Sequence, residues 1–179
     1  MSIEAVFDSE TFRKVMGHFV TGVTVVTTIS DGRPQGITVN ALSSVSLDPP
    51  LVVVALDRRR YITPLVHASG QFAVNVLGEH QQGLADCFAG APVEPGRERF
   101  CGAAWSPGRS GMPLLDGAIA TLECIVVGVH PIGDHDLFIG RVEALRNEDH
   151  HPQPLLYYRR RYLRVERSEA ITIEGRQEG

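Results

Sequence analysis

Lysine is almost missing from this chain: Lys14 is the one lysine among 17 basic residues. A surplus of positive charge is missing too. Against 21 acidic residues the formal net charge is −4 at pH 7, so nothing attracts a polyphosphate backbone and nucleic acid is excluded as the expected partner. Cysteine is scarce. Cys87, Cys101 and Cys124 are odd in number and widely spaced, with no CxxC pair, which argues against a disulfide framework and against a structural zinc site. No apolar run approaches the roughly 18 residues that a membrane span needs. The start, Met1-Ser2-Ile3-Glu4-Ala5, has neither the basic residues nor the apolar stretch of a signal peptide. The expectation is a cytoplasmic protein.

Several chemical motifs are missing as well. There is no GxGxxG after a strand pattern, no GxxxxGK(S/T), no HExxH and no GxSxG. A Rossmann domain, a P-loop, a zincin helix and a nucleophile elbow are therefore unsupported. A phosphorylated cofactor would have to be held by a loop of another kind.

What is present is one ordinary globular domain. The 179 residues are 43% hydrophobic and 21% charged, with 18 glycines and 11 prolines to punctuate them. A single domain over 1–179 is expected, with its core at about 10–165 and a polar tail at 166–179. Asp8-Ser9 ahead of Glu10 to Met16 predicts a capped helix stopped by Gly17. The run Val23 to Ile29 is rich in β-branched residues, and Ser30 to Pro34 reads as a turn into a second strand, Gln35 to Val39. Further strands are predicted over Leu51–Leu56, Gln71–Leu77, Ala118–His130 and Asp136–Arg146, with Tyr162–Val165 closing the sheet. Short helices are predicted over Thr63–Ser69 and Glu79–Phe88. The stretch Ala91–Gly111, broken by Pro and Gly, reads as a surface excursion. Strands that do not alternate with helices favour an antiparallel barrel or sandwich.

The segment Gly36-Ile37-Thr38-Val39-Asn40-Ala41-Leu42-Ser43-Ser44-Val45-Ser46-Leu47-Asp48-Pro49-Pro50 runs from a strand through small polar residues to a Pro-Pro stop. Such residues form a plain structural loop, or one whose backbone approaches a flat ligand closely and donates N–H groups to it. Followed by Leu51-Val52-Val53-Val54, this string resembles the signature of the flavin reductase family with the FMN-binding split barrel. These are the reductase components that feed two-component monooxygenases. Four further stretches match in order: Phe19 to Thr27, Ser69 to Leu77, Gly133-Asp134-His135 with Asp136 to Gly140, and Pro154 to Tyr158 with Arg161-Tyr162.

The resemblance implies a mainly β fold, a six-stranded antiparallel Greek-key split β-barrel with a few short flanking helices. It implies an NAD(P)H:flavin oxidoreductase that uses FMN or FAD and NADH or NADPH, works as a homodimer and supplies reduced flavin to a partner monooxygenase. By resemblance, Thr38, Val39, Asn40, Ala41 and Leu42 wrap the isoalloxazine ring. Ser43 and Ser44 supply hydroxyls, with Ser44 nearest a phosphate or ribityl group. The family's second phosphate segment is usually rich in small hydroxyl residues. This chain instead has Asp57-Arg58-Arg59-Arg60. Guanidinium groups bind phosphate through charge-assisted pairs, so Arg59 or Arg60, with Arg60 preferred, is expected to hold the phosphate. Phe88-Ala89 matches a pair near the ligand, and Arg161-Tyr162 a C-terminal segment near the flavin. His135 matches the nicotinamide-side histidine and is the expected catalytic residue, with Asp134 or Asp136 fixing its tautomer. His130, His150 and His151 fit no standard metal spacing. The alternative reading is a non-catalytic split-barrel protein that carries electrons on FMN or another flat cofactor.

Overall fold

The computed structural model describes residues 7–91, 99–148 and 153–165. Helix α1 (Ser9–Met16) begins where expected: the Asp8 carboxylate accepts from the Thr11 N–H at 2.7 Å, and Gly17 caps the far end. No residue of α1 is buried. The chain then turns to strands: β1 (Thr21–Gly22), β2 (Thr24–Ser30), β3 (Arg33–Val39), β4 (Leu42–Leu47) and β5 (Pro50–Asp57). Helix α2 (Ile62–Ser69) ends at Gly70, whose φ of +64° is the left-handed stop that a glycine supplies. There follow β6 (Gln71–Val76), a 3₁₀ turn at Glu79–Gln81, α3 (Gln82–Phe88), a second 3₁₀ turn at Arg99–Gly102, and the short strands β7 (Trp105–Pro107) and β8 (Pro113–Leu115). Two long strands, β9 (Ala120–Ile132) and β10 (His135–Asn147), and a terminal pair, β11 (Leu156–Tyr158) and β12 (Arg161–Leu163), complete the described chain.

The principal sheet is antiparallel in the order β3-β2-β6-β9-β10-β5-β4. Its two outer strands, β3 and β4, are consecutive in sequence and joined by Asn40 and Ala41. A two-residue link between opposite ends forces the sheet to curl until its edges approach. The β4–β5 ladder continues into the link, where Ala55 N–H on β5 donates to Ala41 O at 3.1 Å. The result is a barrel split along one seam. Inside lie Val26, Ile37, Val54, Phe72, Val74 and Phe138, and α2 adds Ile62 and Val66. Each such side chain contributes roughly 1.5–3 kcal/mol relative to exposure. The other face of the sheet carries a second cluster, in which Val23, Val25, Leu77 and Leu155 pack against Ala85 and Phe88 of α3.

Four features differ from the sequence expectation. Strand β4 lies where a loop is expected, because Leu42-Ser43-Ser44-Val45-Ser46-Leu47 mixes apolar and hydroxyl residues and its described pairing comes from β5. The described principal sheet thus has seven strands. Residues 161–163 do not close that sheet; they pair with β11, which pairs with β1, in a separate three-stranded sheet. The far part of the expected excursion is a β7–β8 hairpin rather than loose surface chain. Thr27 Oγ1 donates to Pro113 O at 2.6 Å, and Asn75 Oδ1 accepts from Leu115 N at 2.8 Å, so the hairpin is stitched to the buried sheet. Finally, Cys87 and Cys101 form a disulfide with Cα atoms 5.9 Å apart. Spacing along the chain gives no sign of it, because only the fold brings the end of α3 against the Arg99–Gly102 turn. His150, His151 and the tail lie outside the described residues.

Candidate active site

At the seam of the barrel lies a cavity of about 240 Å³. Its floor and one side are the end of β3 and the following link, Ile37 to Ala41. The facing side is Ala55, Leu56 and Asp57 of β5, with Arg60, Ala89 and His135 at the rim. β3 is an edge strand of the sheet. Its inward-facing backbone groups pair with β2, and those at Thr38 and Asn40 that face away from β2 have no strand partner. An unpaired strand edge is a row of donors and acceptors ready for a ligand.

His135 opens β10 and stands opposite Asp57 on β5. Its Nδ1 lies 2.7 Å from Asp134 Oδ1. A carboxylate there makes Nδ1 the donor and leaves Nε2 for the cavity. The hydrogen bond to His135 also lowers the Asp134 pKa below its ordinary value. Asp136, the other tautomer candidate, points to the opposite face and pairs with His67 Nε2 at 2.9 Å; it plays no part in orienting His135.

The three arginines are sorted by their partners. Arg59 donates from Nε and Nη2 to the Asp57 carboxylate at 3.1 and 2.7 Å, and its backbone N–H adds a bond of 2.9 Å. These bonds hold Asp57 far below the usual carboxylate range. Arg58 donates from its guanidinium to Gly133 O and from its backbone N–H to Asp134 O, which clamps the 57–60 turn to the turn that carries His135. Arg60 lines the cavity and makes no ion pair among the described residues. It is the cation left over for an anionic ligand.

A layer beneath the cavity sets the position of β3. Tyr61 Oη donates to Gly36 O at 2.5 Å, and burial raises the Tyr61 pKa. Thr38 Oγ1 donates to Ala85 O at 2.6 Å, tying the strand to α3. A Cβ at Gly36 would stand 2.8 Å from the Phe88 ring and 3.3 Å from Phe100. Only glycine lets β3 lie directly on that aromatic pair.

Of the residues expected from sequence, the structure brings together Thr38, Val39, Asn40, Ala41, Asp57, Arg60, Ala89 and His135 around one cavity. The others lie outside its lining. Leu42 packs on the barrel core. Ser43 and Ser44 stand exposed on β4, with Ser43 Oγ donating to Ser44 O at 3.1 Å. Arg59 is occupied by Asp57, and Phe88 lies one layer below. Arg161 is exposed on β12. Tyr162 meets Tyr157 edge-on at 5.5 Å, and burial, aided by Asp86, pushes its hydroxyl up to about 12. Sequence reasoning missed Ile37, Ala55, Leu56, Arg58 and Tyr61. A signal existed for Ala55: it is the one small residue in the otherwise bulky run Leu51 to Leu56, on the same side as Asp57.

The donor set suits a flat, anionic nucleotide ring: an open strand edge, small walls at Ala41 and Ala55, one free guanidinium and one imidazole. The volume falls below the roughly 300–1,000 Å³ of ordinary small-ligand pockets, so the described residues surround only part of such a ligand.

A split antiparallel barrel with a partial nucleotide site at its seam is the architecture of a small cofactor-binding protein. The chain matches the flavin reductase like domain over residues 16–166 and belongs to that family. It is 44% identical over 149 residues to an NADH-dependent flavin reductase from Rhodococcus, covering 82% of this chain and 80% of that one. Its fold matches a solved structure of a nitrilotriacetate monooxygenase component B from Mycobacterium thermoresistibile, with a TM-score of 0.87, 37% identity and coverage of 96% and 94% of the two chains. It also matches the Streptomyces globisporus NADH:FAD oxidoreductase SgcE6 in complex with NAD and FAD fragments, with a TM-score of 0.82, 33% identity and coverage of 93% and 98%.

Proposed function

We propose that the chain is an NADH-dependent flavin reductase that delivers reduced flavin to a partner monooxygenase. The observation that carries this is the cavity itself, in which the open β3 edge, Arg60 and His135 converge. Bound flavin supplies the hydride acceptor and the nicotinamide supplies the hydride. The protein supplies position and charge. Backbone groups at Thr38 to Ala41 face the ring and stabilise negative charge that develops on it. Arg60 takes the nearest phosphate. His135, with Nδ1 held by Asp134, presents Nε2 to the nicotinamide side. Ser43, Ser44, Arg161 and Tyr162 serve the nucleotide's outer portion, beyond the lining of this cavity.

The active form is a homodimer. Two observations support it: the cavity is too small to enclose a flavin nucleotide, and large apolar side chains stand exposed among the described residues. Phe12, Val15 and Phe19 are 52%, 63% and 70% exposed on and after α1, and Leu47 on β4 is 90% exposed. Apolar exposure on that scale marks an association surface.

The deciding experiment is NADH and NADPH oxidation by purified protein with FMN, FAD or no added flavin. Rapid NADH oxidation that depends on added flavin is expected. Flavin binding without NADH or NADPH turnover would replace the reductase by an electron carrier.

A further inference from the structure

We infer that the Cys87–Cys101 cystine is a redox-reactive modification site, opened by dithiols and re-formed by hydrogen peroxide, whose closed form holds the flavin pocket's wall in its binding geometry. The coupling to flavin rests on the site reading above; the reactivity of the cystine does not.

The disulfide joins two dipeptides that also touch through their rings. Cys87 precedes Phe88 at the end of α3, and Cys101 follows Phe100 in the Arg99–Gly102 turn. The Phe88 and Phe100 rings meet edge-on at 5.0 Å, and both lie against Gly36 of β3. The next residue after Phe88 is Ala89, which lines the cavity. About one turn upstream of Ala89, Ala85 O accepts the Thr38 hydroxyl. The cross-link therefore sits one residue from the aromatic pair on which the ligand-facing strand rests.

The turn it holds is a strained one. Phe100 and Cys101 lie at φ +49° and +55°, a left-handed conformation that side-chain-bearing residues rarely adopt and keep only when their surroundings impose it. The disulfide is the covalent part of those surroundings. With the bond opened, the turn is free to leave that conformation, and Phe100 to draw away from Phe88 and Gly36.

Both sulfur-bearing residues are half-buried, not sealed in the core. The third thiol is not a competitor: Cys124 is 2% exposed, and burial, aided by Glu123, pushes it up to about 12. Opening proceeds by thiol–disulfide exchange. A thiolate of the dithiol attacks one sulfur, the other cysteine leaves as thiolate, and the reductant's second thiol displaces the first. The net change is two electrons and two protons to the protein and one disulfide in the reductant. Closing needs an oxidant. One thiolate attacks hydrogen peroxide to give a sulfenic acid and hydroxide, and the second thiol displaces water to restore the bond. Reduced flavin that reacts with dioxygen instead of reaching an oxygenase releases hydrogen peroxide, so the protein's own product supplies that oxidant.

The test uses the full chain, treated with dithiothreitol or with hydrogen peroxide and then desalted. N-ethylmaleimide labelling with peptide mass analysis reads the thiols, and fluorescence titration with FMN and FAD reads affinity. Labelling at Cys87 and Cys101 is expected only after dithiothreitol, with a Kd for flavin raised at least about fivefold, the lower end of ordinary coupling between two sites. The paired substitution Cys87→Ser with Cys101→Ser should give the weaker Kd under both treatments. Cys124→Ala should keep the full response, which shows that a folded protein still reports the change. Labelling of both cysteines without dithiothreitol overturns the proposal, as does a response that survives in the double variant. Equal flavin affinity in both states removes the coupling but leaves the flavin site standing. Flavin binding in neither state removes both.

Discussion

At the residue scale, the site turns on which charges are already spent. Three consecutive arginines offer three cations, but Arg59 is held by Asp57 and Arg58 by the turn that carries His135. Arg60 is the one that faces the cavity unpaired among the described residues. Arg60→Ser should therefore weaken flavin binding by about 1.5–3 kcal/mol, the worth of a hydrogen bond to a charged group, whereas Arg59→Ser should weaken it far less. Titration of both variants with FMN and FAD checks the contrast. The proposed function gives His135 to the other ligand, the nicotinamide nucleotide. His135→Ala should raise the KM for NADH while leaving the flavin Kd close to that of the unaltered protein, and steady-state kinetics beside flavin titration separates the two effects. A flavin Kd that moves as far as the KM would deny His135 its nicotinamide role.

At the element scale, packed structure was legible in the sequence wherever a single strand or helix declares itself. The α1 cap, the β2–β3 hairpin, β5, β6 and the β9–β10 pair all follow from β-branched runs, alternation and turn residues. What was illegible depends on partners distant in sequence. β4 reads as a loop because its serines alternate with exposed apolar residues, and its strand character comes from β5. The disulfide depends on α3 meeting the Arg99–Gly102 turn, a contact that only the fold creates. In the site, the motif residues of the β3–β4 link were legible, but the β5 wall was not, since Ala55 and Leu56 look like any core strand.

The β7–β8 hairpin adds an element-scale expectation. Its turn closes over Glu123 of β9, which is 4% exposed and accepts from the N–H groups of Arg109 and Ser110 at 2.9 and 2.7 Å and from the Ser110 hydroxyl. Burial raises the Glu123 pKa, but the Ser110 and Arg109 bonds outweigh it and leave the value below normal. A carboxyl depressed in the folded state adds stability that is complete above its unfolded pKa, near 4.5, and is lost as the pH falls through the folded value. Glu123→Gln should cost about 2 kcal/mol at neutral pH, and the gap to the unaltered protein should narrow as the pH drops below 4.5. Thermal unfolding from pH 7 down to pH 3 follows it.

At the scale of the whole molecule, the exposed apolar residues of α1 and the partial cavity point the same way. In the proposed dimer a second copy would cover one and complete the other. Light scattering on the eluting protein should give twice the chain mass, and Phe19→Asp, placed on the 70% exposed residue, should shift it toward the single-chain mass and lower flavin affinity together. Dissociation with flavin affinity intact would mean that one chain builds the site alone.

The open edge of β3 has a consequence for handling the protein. An edge strand whose backbone groups lack partners is a template for any other strand it meets in solution. Arg33 and Pro34 blunt that edge near its start, and the proposed function leaves the stretch from Thr38 to Ala41 for the ligand. A bound flavin is then also a cover. Preparations stripped of flavin should cloud and precipitate sooner on concentration and storage than those kept saturated with it, so the ligand acts as a colloidal stabiliser as well as a reactant.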